Sequence, residues 1–158
     1  MSAENQGTWL QPVTLQQDRA TLAPLSQNHC DDLSGAAKEG ELWTLCYTNT
    51  PTVEGMSGYI ERQLQPQREG STLAFAVIDN ESGKAVGMTT YTDVHAATKR
   101  LEIGRTWYRK SIQRTSINTS CKLLLLTHAF EALDCIAVGE LSRWAPSWTG
   151  FCAAILSP

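Results

Sequence analysis

The chain has 158 residues, a formal net charge of −3 and 42% hydrophobic residues, which suits one domain over 1–158 with a single sizeable core. Its 13 Lys and Arg residues are dispersed, so the charge pattern indicates neither a nucleic-acid partner nor an anionic membrane surface. The apolar runs are too short to cross a bilayer, and the polar start, Met1–Gly7, is unlike a signal peptide. We therefore expect a cytoplasmic protein.

Cysteine and histidine give no sign of a disulfide framework or a metal site. The five cysteines are scattered and contain no Cys-x-x-Cys pair. The three histidines, His29, His95 and His128, share no spacing typical of metal ligands. We expect a reduced protein without a metal, in which Cys121 is a packed small residue and His128 lies at a surface or boundary position.

The chain is expected to begin with a strand and a helix. Residues 19–25 alternate apolar and polar side chains, which is typical of a strand. Ser26 stands where a helix N-cap is expected, ahead of two acidic residues that suit the positive end of a helix dipole. This helix should run over 26–38 and end at Gly40.

A second helix is expected after Pro51. Its apolar residues recur at helical spacing: Met56, Tyr59, Ile60 and Leu64. Proline removes a backbone donor and clashes inside a helix. The helix should therefore end near Pro66 or Gly70.

Three strands are expected in the centre of the chain. Residues 73–78 form an almost continuous apolar run, as in a strand buried on both faces. Turn residues at 79–83 lead into a hairpin partner at 85–92. Residues 100–108 form the third strand, and strict alternation predicts two faces: Leu101, Ile103 and Trp107 on one, and Arg100, Glu102, Gly104, Thr106 and Tyr108 on the other.

A long helix over 119–133 and a short strand over 135–138 complete the pattern. The helix is indicated by an apolar stripe made of Leu123, Leu126, Phe130 and Leu133. The element order predicts an α/β (α+β) fold with a mixed, mainly antiparallel sheet flanked by helices. A parallel strand pair is expected where the long helix crosses back.

The start of the long helix is the first candidate for chemistry. A strand ends at Tyr108, the loop 113–118 follows, and Thr119 is the expected helix cap. Unpaired backbone N–H groups and the positive dipole end of a helix suit a phosphate group. Most helix starts bind nothing, so this pattern alone is a modest signal for an anion site.

Several stretches resemble GNAT N-acetyltransferases of the RimJ/RimL type. The resemblance is carried by 102–107, by the loop 113–119, and by the leucine run 122–126. Leu42–Trp43, the segment with Pro51 and Glu54–Met56, and Phe75–Ile78 are also similar to that group. The resemblance covers about residues 13–138, and it implies acetyl-CoA as cosubstrate, a primary amine as acceptor, and no metal.

The resemblance also implies which residues bind the cofactor. The family motif Gln/Arg-x-x-Gly-x-Gly/Ala binds pyrophosphate through loop amides, and in this subgroup its last position is often Asn. The implied set joins a strand end to a helix start: Trp107, Tyr108, Gln113, Arg114, Thr115, Ser116, Ile117, Asn118 and Thr119. Trp107 and Tyr108 would contact the pantetheine arm through their backbone.

Two features depart from the family pattern. Ser116 stands where the motif has its central glycine, and a serine there would weaken binding if the position needs a positive φ. Residues 139–158 lack the strand, helix and strand pattern that the family continues with. We interpret this segment as an atypical tail from a truncated or frame-shifted gene, one that would limit stability and activity.

Glu102 is the candidate catalytic residue, because a strand glutamate in this region of GNAT enzymes often deprotonates the acceptor amine through water. The structural alternative is a half-exposed residue paired with Arg100 or Lys99. Trp43, Tyr47 and Tyr91 could line an acceptor pocket, although core or rim packing is the better interpretation. No residue matches the family's general acid.

Two functions follow from the resemblance. The first is transfer of acetyl from acetyl-CoA to a primary amine, on a protein N-terminus or a small molecule. The alternative is a non-catalytic remnant that binds CoA weakly or self-associates as a homodimer through an exposed sheet edge. The acceptor loops carry no residue that identifies the amine.

Overall fold

The computed structural model describes residues 9–45 and 49–140. Six strands form one sheet in the order β1-β2-β3-β4-β5-β6. Their bounds are β1 Leu15–Gln16, β2 Ala20–Pro24, β3 Leu73–Asp79, β4 Lys84–His95, β5 Arg100–Tyr108 and β6 Ala137–Glu140. The helices are α1 Cys30–Lys38, α2 Met56–Arg68 and α3 Ser116–Thr127, and a π-helical turn, His128–Ala132, continues α3.

Neighbouring strands are antiparallel except β5 and β6, which are parallel. This arrangement confirms the expected mixed, mainly antiparallel sheet and the parallel pair after the long helix. The strand predicted at 135–138 begins later, at Ala137, and extends through Gly139 and Glu140. The first two residues of the expected atypical tail are therefore part of the sheet.

Apolar side chains cover both faces of the sheet. One core joins the sheet to α3 and contains Leu22, Phe75, Val77, Tyr91, Leu101, Ile103 and Tyr108. The other joins the opposite face to α1 and α2 and contains Ala74, Ala76, Met88 and Trp107. A central sheet buried on both faces explains why residues 73–78 read as a nearly unbroken apolar run.

The helix α3 differs from its prediction in both start and buried face. Its cap is Thr115, four residues before the predicted Thr119. Its buried stripe consists of Ile117, Cys121, Leu125 and Ala129, spaced by four residues. Leu123, predicted to be in the core, is 51% exposed, because the unbroken leucine run allows more than one helical stripe.

Tyr91 connects the end of α3 with the sheet through a hydrogen bond and ring packing. Its ring is fully buried and packs edge-on against Phe75, with ring centroids 5.6 Å apart. Its hydroxyl donates to the Leu125 carbonyl oxygen over 2.6 Å, so His128 Nδ1, 3.2 Å away, must donate to that hydroxyl. The π-helical turn begins here, where the helix ladder changes its pairing. Core packing, the preferred interpretation of Tyr91, is thereby confirmed.

We predict that Tyr91→Phe lowers the free energy of unfolding by about 0.5–1.5 kcal/mol, because it removes a hydrogen bond between buried groups while the Leu125 carbonyl oxygen keeps the His128 amide as a donor. Tyr108→Phe is the matched control. Tyr108 is also a buried tyrosine of the α3 core, but its hydroxyl meets the weakly polar Cys121 thiol instead of a backbone carbonyl. Thermal melts of both variants check this: equal losses would contradict the role given to the Tyr91 hydroxyl.

Candidate active site

A β-bulge interrupts β5 at Arg105. The pairing of β4 with β5 matches Met88 with Trp107 and Thr90 with Gly104, so two steps on β4 correspond to three on β5. The additional residue, Arg105, has a φ of 51°. A bulge of this kind bends the strand and increases its twist.

The bulge corrects the predicted faces of β5. Leu101 and Ile103 lie in the core with α3, as expected, but Trp107 lies in the core with α1 and α2. Tyr108, predicted opposite to Leu101, packs in the α3 core. The prediction assumed unbroken alternation, and one inserted residue reverses the direction of every side chain that follows it.

In the part of the chain that the structure describes, β5 has a free edge at residues 104–108. Within the described residues, the parallel pairing with β6 covers Arg100 to Ile103, opposite Ala137 to Glu140. Within the described residues, no strand pairs with 104–108 on the side away from β4. Backbone N–H and C=O groups at such an edge are available to a ligand that pairs like a strand.

This edge leads directly to the start of α3. The Gln113 side chain donates from Nε2 to the Tyr108 carbonyl oxygen over 3.0 Å, which ties the loop to the strand end. Thr115 Oγ1 donates to the Ile112 carbonyl oxygen and accepts from the Ile117 amide. The amides of Ser116 and Asn118 lie in the first helical turn, where the helix itself offers no acceptor.

The expected strain at Ser116 does not occur. Ser116 is the first residue of α3 and is absent from the residues with positive φ, whereas Arg114 has a φ of 62°. The left-handed residue of the loop is therefore two positions earlier than the glycine position of the motif. Any effect of Ser116 on a bound phosphate must come from its side-chain volume, not from backbone strain.

A carboxylate on another element anchors the loop. Glu39, which follows α1, forms an ion pair with Arg109 Nε over 2.8 Å and accepts from Ser111 Oγ over 3.2 Å. The Arg109 amide also donates to the Val86 carbonyl oxygen over 2.6 Å. Sequence reasoning missed Glu39, because no local pattern signals a contact between residues so far apart in the chain.

Glu102 lies half-buried on the face that carries α1 and α2. It pairs across the sheet with Thr92 of β4 and Gly139 of β6. Lys99, one of its expected partners, pairs with Asp134 instead, at 3.6 Å. Within the described residues, the Glu102 carboxylate forms neither a hydrogen bond nor an ion pair, so it is available to a substrate or water.

Other reactive groups nearby are packed. Burial raises the pKa of the Cys121 thiol to about 11 and also raises the pKa of the Tyr108 hydroxyl. A thiol with a raised pKa is mostly protonated and is a poor nucleophile, which agrees with the expected packing role. Trp43 is partly buried against the α1 and α2 core, and Tyr47 lies outside the described residues.

Two further features bear on the kind of site. In the described part of the chain, no group of three or more His, Cys, Asp or Glu side chains could hold a metal ion. No helix within 9–45 or 49–140 has the length and apolar character needed to cross a membrane. Taken together, the geometry offers a carboxylate, a free strand edge and a capped helix start in sequence along one segment, 102–119.

The fold is that of an acetyltransferase domain. Residues 19–153 match the family model of the acetyltransferase (GNAT) domain, and the chain therefore belongs to the GNAT acetyltransferase family. The matched range runs past Val138, into the segment that was expected to depart from the family. A comparison with curated proteins gave no match.

Solved structures give the same fold. A GCN5-related N-acetyltransferase from Brucella melitensis is 25% identical, with a TM-score of 0.68, and 78% of this chain covers 57% of that one. RimL, a ribosomal L7/L12 α-N-protein acetyltransferase, is 15% identical in its apo form, with a TM-score of 0.74, and 92% of this chain covers 80% of it. A second RimL structure, in complex with coenzyme A, is 14% identical with a TM-score of 0.72, and 90% of this chain covers 82% of it.

The chain is shorter than the first structures that it matches. It spans 57%, 64% and 66% of the length of the first three.

The residues predicted to bind the cofactor lie together, from the end of β5 to the first turn of α3. Trp107, Tyr108 and Ile117 are buried there, so they can offer a ligand little more than backbone groups.

We predict that Glu39→Gln loosens the loop without unfolding the protein. Losing a partly exposed ion pair costs about 0.2–1 kcal/mol, so amide hydrogen exchange over 109–115 should accelerate by up to about five-fold. Glu61→Gln, which breaks an exposed ion pair with Arg68 on α2, is the control. Equal exchange rates over 109–115 in the two variants would show that Glu39 does not anchor the loop.

Proposed function

We propose that this chain transfers an acetyl group from acetyl-CoA to a primary amine. The observation that carries the proposal is the arrangement along 102–119, in which a carboxylate is followed by a free strand edge and then by a helix start with unpaired amides. The carboxylate is suited to accepting a proton, and the strand edge is suited to pairing with an extended pantetheine arm. The helix start is suited to holding pyrophosphate.

Each group of the cosubstrate has a matching feature in this proposal. The pyrophosphate would lie against the amides of Ser116 and Asn118, with the dipole of α3 favouring negative charge. The pantetheine arm would pair with the edge of 104–108. Acetyl-CoA supplies the activated acyl group, and backbone amides at the same edge would polarise its carbonyl oxygen.

Glu102 acts in the proposal as the general base. A protonated amine has no lone pair for attack, so the ammonium must first lose a proton. The unpaired Glu102 carboxylate accepts it through a water molecule, and the neutral amine then attacks the acyl carbon. No described residue is assigned as the acid that protonates the leaving thiolate.

The acceptor is proposed as a primary amine on a protein N-terminus or a small molecule. RimL, which shares this fold, is named as acting on the α-amino group of a ribosomal protein. For this reason a peptide with a free N-terminal serine, a peptide with a blocked N-terminus and one lysine, and a polyamine form a suitable first panel. We expect a protein that acts in the cytoplasm.

The test is a thiol-release assay with acetyl-CoA and this amine panel. We expect turnover with at least one amine, and a fall in kcat of about 100-fold or more in Glu102→Gln, with the dissociation constant for CoA changed less than about two-fold. Glu81→Gln, in the β3–β4 turn, is the control and should match the parent. CoA binding with no turnover of any amine would favour a non-catalytic CoA-binding protein, and retained turnover in Glu102→Gln would remove the base assignment.

A further inference from the structure

Glu102 is flanked across the sheet by a glycine and by a buried threonine whose hydroxyl lacks a partner among the described residues. On one side, Gly139 of β6 pairs with it, and on the other, Thr92 of β4. Glycine in a strand interior lowers stability, because it loses the most backbone freedom on folding. Thr92 is 8% exposed, and its hydroxyl has no hydrogen-bond partner among the described residues.

Gly139 leaves volume that the Glu102 side chain uses. A Cβ added at Gly139 would lie 3.0 Å from Glu102 Cγ and 3.3 Å from Glu102 Oε1. The carboxylate therefore leans over the glycine, towards β6. Any larger residue at this position would push Glu102 away by a few tenths of an ångström or more.

Buried threonines lie on the β4 side of Glu102. Thr72, Thr90 and Thr92 are each at least nine-tenths buried, and the hydroxyls of all three lack partners in the described part of the chain. Thr90 pairs with Gly104, the first residue of the free edge of β5. It lies on the same face of the sheet as Glu102. Thr89, which points to the opposite face, is different: its hydroxyl lies 2.8 Å from that of Thr106.

A buried hydroxyl without a partner costs stability, and proteins usually satisfy it with protein groups or water. A strand glycine on one side of a carboxylate and an unsatisfied buried hydroxyl on the other both lower stability. Residues that lower stability in this way are expected at positions where function requires them. Because they meet at Glu102, the requirement concerns the position of that carboxylate.

We propose that Thr92 and Gly139 are positioning residues for Glu102, an inference that rests on the proposed role of Glu102 as base. Gly139 leaves the volume in which the carboxylate sits. Thr92 holds, through its hydroxyl, the water that connects the carboxylate with the amine. The ammonium gives one proton to this water, and the water gives one of its own protons to Glu102, so the water is regenerated and the amine becomes neutral.

The test uses variants in which activity and stability should move in opposite directions. Gly139→Ala and Thr92→Val should melt at the same temperature as the parent or higher. In each, kcat should fall by about five- to ten-fold, because small displacements of a catalytic group are costly, and KM for acetyl-CoA should change less than about two-fold. Thr92→Ser, which keeps the hydroxyl, should retain at least about half of the parent kcat.

Two control variants separate this role from general packing. Gly58→Ala, on α2, makes the same glycine change away from Glu102 and should leave kcat unaltered. Thr89→Val makes the same threonine change on the opposite face of β4 and should leave kcat within about two-fold, whatever its effect on stability. A loss of kcat in these controls equal to that in the two flanking variants would overturn the proposal.

The remaining outcomes test the role of each residue separately. Unchanged kcat in Gly139→Ala or Thr92→Val removes the positioning role of that residue, while a large loss in Glu102→Gln still supports the base. A lower melting temperature in either variant would show that the residue was retained for packing, and would also overturn its role. Full activity in Glu102→Gln, or no turnover in the parent with any amine, would defeat the proposed function itself and this inference with it.

Discussion

The bulge at Arg105 is the constraint on which the site depends. Without the additional residue, strict alternation would place Trp107 in the α3 core with Leu101 and Ile103, and Tyr108 on the opposite face. With it, these two side chains are reversed, and among the described residues β6 pairs with the part of β5 before the bulge, Arg100 to Ile103. Within 9–45 and 49–140, residues 104–108 pair with β4 alone, which leaves their other edge free. A single left-handed residue thus divides β5 into a part that holds a carboxylate and a part that presents backbone.

The bulge also determines how the strand enters the loop and α3. Since the side chains after Arg105 are reversed, Trp107 is buried under α1 and α2, while Tyr108 is buried under α3. Both faces of the strand end are therefore fixed by large aromatic rings. Gln113 and Glu39 then hold the loop from two sides, through the Tyr108 carbonyl and through Arg109 and Ser111. The helix start is thereby supported before any ligand binds, which lowers the entropic cost of binding.

Much of the fold could be predicted from the sequence, because its elements carry strong local signals. The bounds of β5 agree with the prediction at both ends, and the two helices before β3 appear in the predicted order. The bulge could not be predicted, since arginine has no preference for positive φ and strict alternation is the simplest interpretation of 100–108. Glu39 was missed because its contacts join distant parts of the chain.

The start and the buried stripe of α3 show another limit. Thr115 and Thr119 are four residues apart, and either could cap a helix by its residue type alone. The four consecutive leucines at 123–126 likewise fit more than one stripe. Packing against the sheet decides between these alternatives, and it selects the stripe of Ile117, Cys121, Leu125 and Ala129. Glu102 was singled out by type and position, but its unpaired state among the described residues follows only from the three-dimensional contacts.

A titration of CoA followed by backbone amide NMR tests the central claim most directly. If the free edge of β5 and the start of α3 form the cofactor site, the amides of 104–108 and 114–118 should shift together and saturate with one dissociation constant. The amides of Arg100–Ile103, already paired with β6, should shift much less. Shifts confined to other parts of the chain, or a response of the α3 start without the β5 edge, would contradict the account.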